Sequence, residues 1–169
     1  MSAPIFLTHL VLGYVAWLLA FFVYILPKFR TMGRFEVERA VATLHSFRFF
    51  GLVFLVPGVV GAHLPHDFAA WAAWGDFATG VLALLALLTA GVRPLFRLFV
   101  IAFNLVGLGD IAIDYAHAVR EGLPNVAGEL GAAYVIPIVY VPLLAITHVA
   151  ALYWLVRSGP KTGGIEKAA

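Results

Sequence analysis

Three ionisable residues, Asp110, Asp114 and His117, stand in the apolar stretch from Phe103 to Glu121, FNLVGLGDIAIDYAHAVRE. On an α-helix they fall at i, i+4 and i+7 and share one face. A second apolar stretch carries Asp76 on the side of Ala72, Ala73, Gly80 and Ala83. Carboxylates beside imidazoles suit zinc, manganese, non-haem iron or copper. Asp110, Asp114 and His117 thus read as metal ligands from one helix, with Asp76, His9 or His63 added from others. The same carboxylates in a dry bundle could load and release protons, which is the chemistry of proton-coupled movement of a small ligand. Histidines at matched depth offer axial positions to haem, either His45 with His148 or His9 with His63. Asp76 with Asp110 would also serve as an acid/base pair acting on a lipid or isoprenoid.

The elements that must position these groups are membrane spans. Of 169 residues, 63% are hydrophobic and 12% charged, and mean hydropathy is +0.97. A soluble domain is nearer half apolar and a quarter charged. The expected fold class is an all-α integral membrane bundle of five transmembrane helices. The spans fall at about 5–26, 44–64, 69–91, 95–118 and 131–156, each near the ~20 residues a crossing needs. Residues 1–157 then form a single transmembrane domain and 158–169 a disordered cytoplasmic tail. Nothing before the first span is basic, so it reads as a retained helix rather than a signal peptide. Pro57 and Gly58 predict a kink in the second span, and Pro137 with Pro142 a break or bend in the fifth.

Lys28, Arg30, Arg34, Arg39, Arg48, Arg93, Arg97, Arg157, Lys161 and Lys167 fall on one side of this topology, and Arg120 alone on the other. The positive-inside rule then sets the N-terminus outside and the C-terminus in the cytoplasm, and the expected location is the cell inner (plasma) membrane. This accounts for a pI near 9.1 without nucleic acid, for which no basic stripe interleaved with aromatics exists.

Depth sorts the polar residues. Asp110 sits roughly 10 Å inside the outer end of its span, and Asp76 lies at a similar depth. Asp114, His117, His9 and His63 gather nearer the same surface, so an outward-opening polar pocket is expected around Asp76 and Asp110. His117, His9 and His63 lie close enough to water to need no further role, and Asp67, Arg120, Glu121 and Glu129 read as loop charges. A second, inner cluster comprises His45 and Arg48 on the second span with Thr147 and His148 on the fifth. Arg48 lies about one turn inside its span and is expected to snorkel to the interface.

The reading these groups favour is binding of a cation, metal or small ligand, with proton-coupled transport as its extension. The alternatives are an accessory or assembly subunit of a larger membrane complex, self-associated or bound to a partner, and a haem-bearing redox protein. No lysine lies in a span for a retinal Schiff base. No His-Glu-x-x-His or phosphate-binding glycine loop occurs, and the absence of cysteine removes thiolate chemistry and c-type haem attachment.

Overall fold

The computed structural model describes residues 3–156, so the expected tail lies outside the described residues. The described chain is helical, with no strand among its elements. It runs as α1 (Ala3–Thr31), α2 (Arg34–His45) continued without a break by a 3-10 helix (Ser46–Leu55), α3 (His66–Leu88), α4 (Arg93–Arg120), two 3-10 turns (Leu123–Asn125 and Ala127–Tyr134) and α5 (Ile136–Val156). Four of these, α1, α3, α4 and α5, are long and apolar enough to cross a membrane.

Proline shapes α1 and α5. Each contains one π turn, Phe21–Ile25 in α1 and Ile136–Tyr140 in α5. The turns close with the N–H of Leu26 bonded to the Phe21 carbonyl and that of Val141 to the Ile136 carbonyl. The next residue in each case is a proline, Pro27 and Pro142. A proline ring has no N–H and crowds the preceding turn; a locally widened turn accommodates it while the helix continues.

The region expected as a continuous span over 44–64 is built differently. The helix begins ten residues earlier, at Arg34, where Glu36 reaches back to accept the Gly33 N–H at 2.9 Å. At Ser46 it tightens to 3-10 geometry, and it ends at Leu55, ahead of Pro57 and of Gly58 with φ +82°. Burial follows the change of pitch. In α2 the buried residues are Val37, Glu38, Val41, Ala42 and His45, a helical stripe; beyond it they are Ser46 at the junction and then Arg48, Gly51 and Phe54, every third residue. A 3-10 helix has three residues per turn and eclipses i with i+3.

The two ends of this segment lie at opposite ends of the bundle. Near its start, Arg34 Nη2 donates to the Leu155 carbonyl at 2.9 Å and the Arg93 guanidinium lies 3.5 Å from the Phe35 ring centre. Past its finish, the Gly61 N–H donates to the Glu129 carbonyl at 2.7 Å and the Ala132 N–H to the Val59 carbonyl at 3.1 Å. Gly131 adopts φ +52°, and a Cβ there would overlap the Val59 carbonyl oxygen, so this pairing of loops requires glycine.

Two apolar cores result. One, toward the loop end, gathers Phe6, Phe54, Phe68, Ala72, Leu130 and Ile136. The other, toward the basic end, gathers Phe29, Val41, Ala86, Phe96, Phe103 and Ala151. Between them lie nearly all the buried polar residues: His45, Arg48, Asp76, Thr79, Asn104, Asp110, Thr147 and His148.

The small-residue side of α3 allows the 3-10 helix to approach closely. A Cβ on Gly80 would stand 2.8 Å from the Phe49 backbone nitrogen, and backbone cannot move aside as a flexible side chain can. Gly80→Val should lower stability by about 1–3 kcal/mol through overpacking. Thermal unfolding of purified protein in detergent measures this; an unchanged transition would show that the two elements are not in tight register.

Candidate functional site

Arg48 occupies the middle of the polar layer and is 1% exposed. Its Nε donates to Asp76 Oδ1 and its Nη2 to Asp110 Oδ2, both at 2.6 Å. Nη1 donates to the Gly107 carbonyl at 3.2 Å and to His148 Nε2 at 3.0 Å. One planar fork therefore ties the 3-10 helix to α3, α4 and α5. The snorkelling expected of Arg48 does not occur: the helix starts at Arg34, and Arg48 is buried in the middle of the bundle with its guanidinium turned onto neighbouring helices.

Hydrogen-bond bookkeeping sets the histidine tautomers. His148 Nε2 faces an arginine N–H and must accept, so its proton is on Nδ1, which donates to Asn104 Oδ1 at 2.9 Å. The Asn104 amide in turn donates to the Val100 carbonyl at 2.8 Å. Thr147 directs its hydroxyl hydrogen to the Leu143 and Leu144 carbonyls, at 2.8 Å and 3.0 Å. Its oxygen is left to accept from His45 Nε2 at 3.0 Å. His45 Nδ1 then holds a lone pair with no partner, although the residue is fully buried. The His45 and His148 rings lie against each other, tilted by 38°, with centroids 3.9 Å apart.

Glycines make the room. A Cβ on Gly51 would overlap the Asp76 side chain, one on Gly75 the Asp110 carboxylate, and one on Gly107 both Arg48 Nη1 and His148. Charged groups packed this tightly have exchanged water for one another, which works only where donors and acceptors are matched.

The sequence-predicted residues divide accordingly. Asp76 and Asp110 meet, and they meet through Arg48, so the expected outer pair and inner cluster form one network. Asp114 lies one turn beyond Asp110; its Oδ1 is shut from solvent and has no hydrogen-bond partner. With Asp76 it lines a cavity of about 90 Å³ whose other walls include Phe6, Leu10, Phe54 and Phe68. His9, His63 and His117 stand apart from this centre. His9 Nδ1 pairs with the Tyr134 hydroxyl at 2.9 Å, His63 is exposed in the loop, and His117 Nδ1 faces Glu121 Oε1 at 3.3 Å. No group of three or more His, Asp or Glu among the described residues has a metal-holding arrangement. Asn104 and Gly107 belong to the site without having been singled out by sequence; Asn104 lies less than two turns before Asp110, on the buried face of α4.

A family model described as a domain of unknown function, DUF8737, matches residues 5–156. The chain belongs to the DUF8737 family. No curated protein and no solved structure matches it. The DUF8737 match takes in every member of the network, from His45 to His148.

Electrostatically the DUF8737 site is unbalanced. Arg48 supplies one positive charge against the carboxyls of Asp76, Asp110 and Asp114, while His148 accepts from the guanidinium and is neutral. Removing the cation alone strands the carboxylates. Arg48→Gln should destabilise the protein by about 3–5 kcal/mol, whereas the triple change Arg48→Met with Asp76→Asn and Asp110→Asn should recover most of that loss. A denaturation series on the purified variants measures both; if the triple variant is no more stable than Arg48→Gln, charge burial is not what Arg48 resolves.

Proposed function

We propose that this DUF8737 protein is a five-pass membrane protein, N-terminus outside and C-terminus cytoplasmic, whose polar layer binds a small cation or ammonium-bearing ligand in exchange for a proton. The fifth pass is residues 34–55. Twelve α-helical residues rise roughly 18 Å and ten 3-10 residues roughly 20 Å, enough for a ~30 Å hydrocarbon core. The tighter helix climbs further per residue, so this pass crosses although its α-helical part is short. Lys28, Arg30, Arg34, Arg39, Arg93 and Arg97 then share the cytoplasmic end and Arg120 faces outside.

The observation that carries the ligand reading is the surplus of carboxyl groups at the floor of an apolar cavity. A buried negative charge without a counter-charge is costly in a membrane interior. Arg48 cancels one, and the remainder must be met by protons or by a bound cation. Asp114 lines that cavity, and its buried Oδ1 has no hydrogen-bond partner. Apart from Asp76 and Asp114, the only polar side chain lining the cavity is Tyr115, whose hydroxyl pairs with that of Tyr14 at 2.8 Å. Once its proton is given up, the free polar group is an acceptor, so the ligand that replaces the proton must be a cation or a donor. A volume near 90 Å³ holds roughly three waters, which suits a hydrated alkali cation or a short alkylammonium ion. Access is from the outer side, because the apolar core around Phe96, Phe103 and Val41 closes the inner side.

The test is titration of purified protein in weakly buffered detergent with sodium, potassium and methylammonium, recording bound cation and released protons together. Binding should release a proton, and Asp114→Asn should abolish that release and weaken affinity by about 30-fold or more, the cost of removing one partner of a buried charged pair. If none of the three cations binds, or if Asp114→Asn binds and releases protons like the parent, the reading fails.

A further inference from the structure

An apolar groove lies elsewhere on the lateral surface, between α1 and α5. The two helices touch tightly at one point, where a Cβ on Gly13 would overlap the Ile138 carbonyl oxygen and Trp17 Nε1 donates to the Val139 carbonyl at 2.8 Å. They touch again near the basic end, where the Phe29 and Trp154 rings meet edge to face at 6.0 Å. Between these contacts the helices part. The opening has a volume of about 500 Å³. Leu18, Phe22 and Val149 form its apolar walls, and Ala145 and Ala150 contribute floor where larger side chains would fill it. The π turn at Phe21–Ile25 lies in this interval.

One cation borders the groove. Arg30 lies at its basic end with Trp154, is exposed and makes no ion pair or hydrogen bond with any described residue. No acidic residue lines the groove. Tyr14 at the far end is sixteen residues from Arg30, so the groove follows α1 for roughly 24 Å, about the depth of one leaflet with its headgroup region. An apolar channel of leaflet length ending in an unpaired arginine and an interfacial tryptophan matches an acyl chain joined to a phosphate.

We propose that this groove holds an anionic phospholipid of the leaflet on the basic side, its acyl chain along Leu18, Phe22 and Val149 and its phosphate on Arg30. A neutral helix from a second copy would satisfy the apolar walls and leave the arginine without a counter-charge, which is why the lipid is favoured. The site is distinct from the polar layer and does not depend on what that layer binds.

The full chain is purified in mild detergent, exchanged into nanodiscs of phosphatidylglycerol or phosphatidylcholine, and released for native mass spectrometry. The parent should retain a phosphatidylglycerol molecule about fivefold more than phosphatidylcholine, the preference that one interfacial cation confers. Arg30→Gln, at an exposed position, should erase that preference while leaving the protein folded. Ala145→Phe should expel both lipids by filling the floor. Equal retention of the two lipids by the parent, or a preference untouched by Arg30→Gln, overturns the proposal. So does a dimer that Ala145→Phe dissociates, since a second copy would then occupy the groove.

Discussion

Everything in this bundle is arranged to bury one guanidinium. Arg48 is almost wholly sealed from solvent and contacts three other elements through its own hydrogen bonds. Burying such a charge without compensation is among the costliest things a fold can do. The compensation is supplied by two carboxylates, one carbonyl and one imidazole, each from a neighbouring helix. The geometry needed to bring them within 2.6 Å to 3.2 Å of one planar group sets the spacing of the helices. The glycines at 51, 75, 80 and 107 serve that spacing. They let the backbones come close enough for short side chains such as aspartate to reach the centre.

The polar layer also explains why the apolar core is double. The residues between Phe54, Phe68 and Leu130 on one side and Phe96, Phe103 and Val41 on the other are the charged and hydrogen-bonding ones. Cohesion across that layer is therefore electrostatic, while cohesion above and below it is packing. In lipid, where apolar surface gains little from leaving the solvent, hydrogen bonds and close backbone contact carry more of helix association than they would in water. A network made of one arginine, two aspartates, two histidines, an asparagine and a threonine fits that rule.

Much of this is legible in the residues alone. The all-helical membrane class follows from composition. Asp76 and Asp110 identify themselves because an aspartate amid the apolar and small residues of a span must be met by a partner inside the bundle. The second segment is the obstacle. LHSFRFFGLVFLVPGVVGAHL reads as one apolar run, and hydropathy cannot distinguish an α-helix from a 3-10 helix. Starting the helix at Leu44 rather than Arg34 places Arg48 near an interface instead of mid-bundle, and the depth error hides its partners. The signal that would have located it is the spacing of His45, Arg48, Gly51 and Phe54, three apart throughout. The role of Asn104 is not legible, since it serves equally well bonded to its own helix, and only the facing histidine distinguishes the site.

That threefold spacing has a consequence for how the chain can change. In an α-helix a one-residue slip turns the following side chains by about 100°, and a broad stripe tolerates some of it. In a 3-10 helix the buried residues form a single straight file, with each neighbour a third of a turn away. Adding or deleting one residue between Arg48 and Phe54 would swing the rest of the file out of the bundle, exchanging Phe54 for a residue that now faces outward. The segment is in effect written in triplets. Changes of length there can survive only in threes, while the turn from Val56 to Pro65 is free of that arithmetic.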